Sequence, residues 1–251
     1  MQALPGEVKN QIDRARDALI RLVPAVRGVY LHGSICLNDF VPGRSDVDLL
    51  VLSDAAMSRP QRIALADALL EWHGRPCPLE LSVTRLEDAQ RIPVLCQFHF
   101  SEMWAPRYAA HDEGNPLLEG AFPDDDMPCH IRLTRQSGMP LFGPPPEALL
   151  PEIDDAAFWC ALTYDLDDLA PLDNPVYDAL TLARVASFAR TRRILTKCQA
   201  ADWAAAEYPR FAPVLGEAVS AYRQNRPPEW DSAALANYRD FMLNLIRQGL
   251  K

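Results

Sequence analysis

Two aspartates, Asp46 and Asp48, interrupt a hydrophobic stretch with the pattern of a β-strand, GRSDVDLLVLS. Alternate residues of a strand point to the same face, so these carboxylates are neighbours while Val47 and Leu49 face the other side. Neighbouring carboxylates repel each other, and one of them ordinarily takes up a proton. A divalent cation removes this repulsion, and Mg²⁺ prefers hard oxygen ligands such as carboxylates and phosphates. The pair therefore indicates a metal site.

Two further features extend this candidate site. Gly33 and Ser34 follow the upstream apolar stretch VYLHGS, where a glycine lets the backbone approach a ligand and a serine offers its hydroxyl to a phosphate. A third carboxylate, Glu80, lies between two leucines in another alternating stretch. Each feature alone is unspecific, because a Gly-Ser pair is common and an Asp-x-Asp pair also occurs on solvated edge strands. Together they favour metal-assisted nucleotide chemistry.

The elements that must position these residues follow from hydrophobic periodicity. Helices are predicted over 6–23, 60–73 and 126–138, and strands over 26–33, 45–53 and 78–86. Residues 92–120 give no clear pattern, and the stretch FPDDDMP at 122–128 is interpreted as a turn and helix N-cap with solvated charges.

A proline-rich stretch over 140–153 marks the predicted domain boundary, because proline cannot occupy a helix interior or a central strand. Helical periodicity dominates after it, with predicted helices at 154–169, 175–192, 198–207, 211–223 and 231–249. The prediction is an α+β protein, with a mixed-sheet domain in 1–145 and an α-helical bundle in 152–251.

The chain has 251 residues and a formal net charge of −9. This charge argues against broad binding to nucleic acid or anionic membranes and suits a cationic small molecule, although many proteins are acidic without such a partner. The five histidines and six cysteines show no metal-ligand spacing, so no zinc site or disulfide framework is predicted. No signal peptide or apolar run of about 20 residues is found, which predicts a cytoplasmic protein, and we expect a monomer.

The motif residues Gly33-Ser34, Asp46-Val47-Asp48 and Glu80 resemble the nucleotidyltransferase superfamily with the polymerase-β-type palm. The stretch at 180–223, which contains LTLAR and LTKCQAADWA, resembles the helical domain of the aminoglycoside adenylyltransferases that act on streptomycin and spectinomycin. The resemblance covers about residues 25–225. It implies a nucleotidyltransferase domain followed by a helical domain, and transfer of AMP from Mg²⁺-bound ATP to a hydroxyl of an aminoglycoside or aminocyclitol.

The resemblance also implies roles for individual residues. Asp46 and Asp48 would hold two Mg²⁺ ions, and Glu80 would complete the metal and catalytic set as the general base. The implied nucleotide contacts are Gly33, Ser34, Ser45, Arg184, Lys197 and Tyr222. The acceptor pocket would be lined by Glu102, Trp104, Asn174 and Tyr177.

The region before the LTLAR helix departs from the streptomycin-handling members of that family. It has acidic residues (Asp165, Asp167, Asp168 and Asp173) but no tryptophan, and Asn174 and Tyr177 stand near where an aspartate and a histidine are expected. Spectinomycin is therefore the expected acceptor, and streptomycin stays open. Two alternatives remain: a nucleotidyltransferase with a different small-molecule or protein acceptor, and a non-catalytic nucleotide-binding module. The presence of Ser34 and all three carboxylates argues against the second.

Overall fold

The computed structural model describes residues 4–110, 115–166 and 174–250, apart from the side chain at position 165. The chain divides into two compact units, Met1–Asp154 and Asp155–Lys251. The first contains a mixed six-stranded sheet with helices and the second contains helices, so the predicted α+β class is confirmed. The assignment of 1–145 and 152–251 to a nucleotidyltransferase and a helical domain stays a prediction.

The first unit is built around one sheet whose strand order is β5-β4-β3-β2-β1-β6. Its strands are β1 Val26–His32, β2 Val47–Ser53, β3 Leu79–Arg85, β4 Val94–Phe100, β5 Phe122–Asp124 and β6 Met139–Phe142. Its helices are α1 Gly6–Leu22, α2 Gly33–Cys36, α3 Arg59–Leu70, α4 Ala105–Ala109, α5 Pro116–Glu119 and α6 Met127–Ser137, with a 3₁₀ turn at Pro146–Ala148. Strands β2 and β3 are parallel, and the other neighbouring pairs are antiparallel.

Both faces of the sheet are covered, which explains the near-continuous apolar run of β2. Val47, Leu49 and Val51 pack into a core with helices α1 and α3. Leu50 and Leu52 face the other side, where they form a second core with Met127 and Ile131 of α6. Because Asp48 and Leu50 are two residues apart on one strand, Asp48 shares the α6-covered face.

The two edge strands correct the sequence-based interpretation. The proline-rich stretch starts with β6, where Pro140 pairs with Tyr30 at the edge of the sheet, a position in which a missing N–H is tolerated. The FPDDDMP stretch starts with β5, whose Asp124 pairs with Val94. Asp126 is the N-cap of α6, as interpreted, and Asp125 is exposed, but Asp124 is half-buried and its burial raises its pKa, so only part of this charge is solvated.

Strand β4 lies in the region for which no element was predicted. Both of its faces are largely covered, and even the polar Gln97 is only 2% exposed, so its sequence VLCQFHF lacks a clear alternation of apolar and polar residues. The six cysteines, all within the described ranges, form no disulfide with one another, and Cys160 is exposed.

The second unit is helical, as predicted. Its helices are α7 Asp155–Thr163, α8 Pro175–Thr191, α9 Lys197–Glu207, α10 Ala212–Gln224 and α11 Ser232–Arg247, with 3₁₀ turns at Tyr164–Leu166 and Pro209–Phe211. Helix α8 is the central element, buried on most sides and in contact with α9, α10 and α11. Within the described ranges, no helix is both long and apolar enough to cross a membrane.

Candidate active site

The parallel register of β2 and β3 brings two of the predicted carboxylates side by side. Asp48 and Glu80 are direct Cα partners, and Asp48 is also the partner of His32 on β1. Partners across a ladder point to the same face of the sheet. Asp46 immediately precedes β2 and is half-buried. The sheet thus gathers a histidine and carboxylates in one row, at the end where β2 and β3 begin.

Gly33 allows the turn after β1 to lie against this row. Its φ of +66° falls in the left-handed region, and a Cβ at this position would overlap the Asp48 carboxylate. Both observations require a glycine here. The sequence-based interpretation of Gly33 as a point of close approach therefore has a physical basis, although the atoms it approaches in this structure are those of Asp48.

The two predicted serines have different surroundings. Ser34 Oγ is buried and has no hydrogen-bond partner, which is an uncommon state for a hydroxyl. Ser45 is 5% exposed, and its Oγ accepts a hydrogen bond from Val41 N at 3.0 Å, which fixes the loop before β2. Of the two serines, Ser34 is therefore the one whose hydroxyl has no hydrogen-bond partner within the protein.

Helix α6 adds a cation that sequence reasoning missed. His130 Nε2 lies 3.2 Å from Asp126 Oδ2, one helical turn earlier, and 3.8 Å from Glu80 Oε1. Burial alone would lower the pKa of His130, but the carboxylates of Asp126, Glu80 and Asp124 outweigh it and raise the pKa to about 10. The carboxylates of this face are therefore accompanied by a histidine as well as by the predicted metal site. The Asp126–His130 spacing of four residues was the available signal.

Two further histidines line the same face. His32 is 3% exposed, its Nδ1 has no partner, and its ring centroid is 5.3 Å from that of His130. Burial lowers the pKa of His32 well below its ordinary value. His99 Nδ1 lies 3.0 Å from Ser82 Oγ, and burial lowers its pKa although the Glu80 carboxylate opposes the shift. The predicted site therefore lies on a face that also carries three histidines, of which only His130 has a local spacing signal.

The donor set fits Mg²⁺ in its chemistry. Asp46, Asp48 and Glu80 offer hard carboxylate oxygens, and the metal ordinarily takes one or two of these together with phosphate and water. Within the part of the chain that the structure describes, no three acidic, histidine or cysteine side chains converge into a metal-binding group. The three carboxylates suit a hard cation that takes its other ligands from phosphate and water.

The predicted acceptor residues of the first unit follow β4. Glu102 is exposed, and Trp104 is half-buried at the start of α4. The Arg107 guanidinium lies 4.8 Å from the centroid of the Trp104 ring, and the indole also packs against the sheet core. Trp104 thus combines a structural contact with a partly open surface, and the predicted acceptor role of both residues stays a prediction.

Three predicted residues of the second unit converge at helix ends. The Lys197 ammonium, in the first turn of α9, lies 4.8 Å from the Tyr177 ring centroid and 5.3 Å from the Tyr222 ring centroid. Tyr177, in the first turn of α8, is 46% exposed, whereas Tyr222 near the end of α10 is 5% exposed. The resemblance implies an acceptor role for Tyr177 and nucleotide roles for Lys197 and Tyr222, whereas the structure groups all three.

The remaining predicted positions of this unit lie on or near α8. Arg184 is half-buried in the middle of the helix. Asn174 is its N-cap, and Asn174 Oδ1 accepts a hydrogen bond from Tyr177 N at 3.2 Å. Of the acidic residues noted upstream, Asp167, Asp168 and Asp173 lie outside the described residues, as does the side chain of Asp165.

Comparison with protein families gives two matches in chain order. A nucleotidyltransferase domain matches residues 12–91, and the C-terminal domain of aminoglycoside adenylyltransferases matches residues 148–245. The first match contains β1, β2 and β3 with Asp48 and Glu80, and the second contains α8, α9 and α10 with Lys197.

Similar proteins match over nearly the whole chain. An aminoglycoside (3'') (9) adenylyltransferase from Shigella flexneri is 29% identical over 241 residues, which cover 88% of this chain and 87% of the relative. A spectinomycin 9-adenylyltransferase from Staphylococcus aureus strain N315 is 26% identical over 220 residues, covering 82% of each.

A solved structure has the same fold. It is the spectinomycin adenyltransferase AAD(9) from Enterococcus faecialis with ATP and spectinomycin, and it matches with a TM-score of 0.83 at 18% identity, covering 95% of this chain and 99% of that one. The family models, the sequence matches and this shared fold confirm the resemblance to the aminoglycoside adenylyltransferases and to nucleotidyltransferases.

Proposed function

We propose that this chain is an adenylyltransferase that moves AMP from ATP to a hydroxyl of an aminoglycoside or aminocyclitol antibiotic, with spectinomycin as the expected acceptor. The observation that carries the proposal is the in-register pairing of Asp48 with Glu80 next to the buried, unpartnered hydroxyl of Ser34. The names of the curated relatives, and the ATP and spectinomycin of the similar solved structure, support the substrate classes.

In the proposed reaction, the acceptor oxygen attacks the α-phosphorus of ATP and forms the new P–O bond. The bond from the α-phosphorus to the bridging oxygen breaks, and pyrophosphate leaves with that electron pair. Glu80 takes the proton of the acceptor hydroxyl. General bases typically increase the reaction rate by about 10²–10⁴-fold. Ser34 donates its free hydroxyl to a phosphate oxygen, and Ser45 holds the loop that precedes β2.

Asp46, Asp48 and Glu80 are the residues that would hold Mg²⁺. When bound, the cation neutralises phosphate charge and stabilises the leaving pyrophosphate. Asp48 is fixed by its register partners on both sides, so its carboxylate is already placed against the turn at Gly33. His130 Nε2 lies 3.8 Å from Oε1 of the Glu80 carboxylate.

In the helical unit, we propose that Arg184 and Lys197 contact the phosphates as fixed cations and that Tyr222 supports the nucleotide. Glu102, Trp104 and Asn174 would contribute to acceptor binding. The net charge of −9 suits a cationic acceptor. We also propose that the protein is monomeric and cytoplasmic and has no nucleic-acid or membrane partner.

The state of Asn174 favours spectinomycin over the more strongly cationic streptomycin. Its side chain is a neutral amide, and its oxygen is already used to cap α8. It therefore offers no carboxylate to a cationic acceptor at a position where the streptomycin-handling enzymes are expected to have one.

The direct test measures AMP transfer. The chain is incubated with α-labelled ATP, Mg²⁺ and each drug of a panel that includes spectinomycin and streptomycin, and both labelled drug and pyrophosphate are measured. We expect stoichiometric transfer to spectinomycin and little to streptomycin. No transfer to any drug, with ATP still bound, would contradict the proposal.

The outcome also separates the alternatives. Pyrophosphate release with a different hydroxyl compound or protein, but none with the drugs, would favour a nucleotidyltransferase with another acceptor. ATP binding without pyrophosphate release under any condition would favour a non-catalytic module. Glu80→Gln serves as the inactive control in both cases, because it keeps the size and polarity of the side chain but removes the base.

A further inference from the structure

The three residues Tyr177, Lys197 and Tyr222, which we call the Tyr–Lys–Tyr cluster, come from the ends of three different helices. Tyr177 lies in the first turn of α8, Lys197 opens α9, and Tyr222 lies in the last turn of α10. The Lys197 ammonium is within 6 Å of both ring centroids, at 4.8 and 5.3 Å. These distances lie in the range of cation–π attraction.

The backbone of the cluster is fixed by helix caps. Thr196 Oγ1 accepts from Gln199 N at 3.2 Å, and Gln199 Oε1 accepts from Thr196 N at 3.2 Å, a capping box that sets the start of α9 at Lys197. The Asn174 cap sets the start of α8 just before Tyr177. The caps fix the backbone at Lys197, and the two rings lie against the end of its four-carbon side chain.

A lysine at this position needs such support. The first turn of a helix carries a partial positive charge that disfavours a cation, and Lys197 lies in the first turn of α9. Two aromatic faces compensate for this repulsion and hold the ammonium in one place. Because ordering a lysine side chain costs conformational entropy, an ammonium already held by the rings binds a phosphate at a smaller cost.

We propose that Tyr177 is a positioning residue for Lys197 and acts on ATP binding through its ring, instead of contacting the acceptor through its hydroxyl. The proposal rests on the proposed function, in which Lys197 contacts the nucleotide. Tyr222 is nearly fully buried, so its ring forms the fixed side of the cluster. Tyr177 is half-exposed, and loss of its ring is expected to weaken ATP binding through Lys197.

The test compares Tyr177→Phe with Tyr177→Leu in the full chain. Phenylalanine keeps the aromatic face and loses the hydroxyl, whereas leucine loses the face. We expect Tyr177→Leu to raise the calorimetric Kd for Mg²⁺-bound ATP about threefold to tenfold, with kcat and the acceptor KM unchanged. Tyr177→Phe should equal the unsubstituted chain in all three quantities. Tyr164→Leu, which removes an exposed tyrosine of the same unit, is the matched control and should change nothing.

A double-mutant cycle separates this role from a general structural effect. In a Lys197→Met background, Tyr177→Leu should weaken ATP binding no further, because the side chain that it positions is already gone. An additive loss would overturn the proposal, as would a raised acceptor KM in Tyr177→Phe. Equal ATP affinity of Tyr177→Leu and the unsubstituted chain overturns this inference alone, whereas absence of ATP binding by the unsubstituted chain overturns the proposed function as well.

Discussion

The two candidate binding regions use opposite chemistry. On the sheet of the first unit, Asp48 and Glu80 lie in register, and His130 Nε2 lies 3.8 Å from Glu80 Oε1 and 3.2 Å from Asp126 Oδ2. At the helix ends of the second unit, a cation lies between two aromatic rings. The first region gathers the carboxylates proposed to hold metal and accept a proton, and the second places a lysine ammonium against two aromatic rings.

Because of this difference, substitutions in the two regions are expected to change different quantities, kcat in the first and the Kd for ATP in the second. Carboxylates that bind metal and accept a proton act mainly in the transition state, so their loss should lower kcat. A cation that contacts ATP throughout contributes to binding, so its loss should raise the Kd for ATP. Variants in the two regions can therefore be sorted by which quantity changes.

The largest effect is expected for Glu80→Gln. Removal of the proposed base should lower kcat by about 10²–10⁴-fold while the Kd for ATP changes little, because the amide keeps the shape of the side chain. Rapid-quench kinetics and calorimetry measure the two quantities. Unchanged turnover would remove Glu80 from the role of base and would weaken the contrast between the two regions.

The second largest effect is expected for Gly33→Ala. A Cβ at a φ of +66° overlaps the Asp48 carboxylate, so the turn and the carboxylate must separate. A displacement of this kind in a catalytic site costs about 10²-fold in kcat/KM. Gly216→Ala is the matched control, because a Cβ there meets nothing within 4 Å, and it should keep full activity. Equal activity of the two variants would show that the close approach at Gly33 is unimportant.

Lys197→Met tests the helical region. Methionine keeps an unbranched side chain that packs against aromatic rings but carries no charge. We expect the Kd for ATP to rise about tenfold, the loss typical of a charged hydrogen bond, with kcat at saturating ATP nearly unchanged. A fall in kcat with an unchanged Kd would place Lys197 with the catalytic groups and would break the comparison.

The smallest effect is expected for Ser34→Ala. Its hydroxyl has no partner in the structure, so its removal should leave the melting temperature unchanged while ATP affinity falls about fivefold. Thr134→Val removes another buried hydroxyl without a partner, in α6, and is the control that should leave ATP affinity unchanged. A loss of stability in Ser34→Ala would indicate a structural hydroxyl instead.

Much of the sheet could be predicted because its signals are local. The alternation around Asp48 and around Glu80 predicted β2 and β3, and the helical periodicity predicted α1, α3 and α6 nearly at their observed ends. The short edge strands could not be predicted in the same way. Proline in β6 and consecutive aspartates around β5 are unfavourable for central strands, but an edge strand tolerates them because one side of its backbone stays unpaired.

The sequence by itself determined the residue types at the site, the two structural periodicities and the family resemblance, because motifs and periodicity are properties of neighbouring residues. Only the tertiary structure decided which distant groups meet: it set Asp48 against Glu80, brought His130 of α6 to that carboxylate, and grouped Tyr177 with Lys197. Those contacts depend on strand register and helix packing, in which residues far apart in the chain bury their apolar faces together, and no local spacing encodes the result.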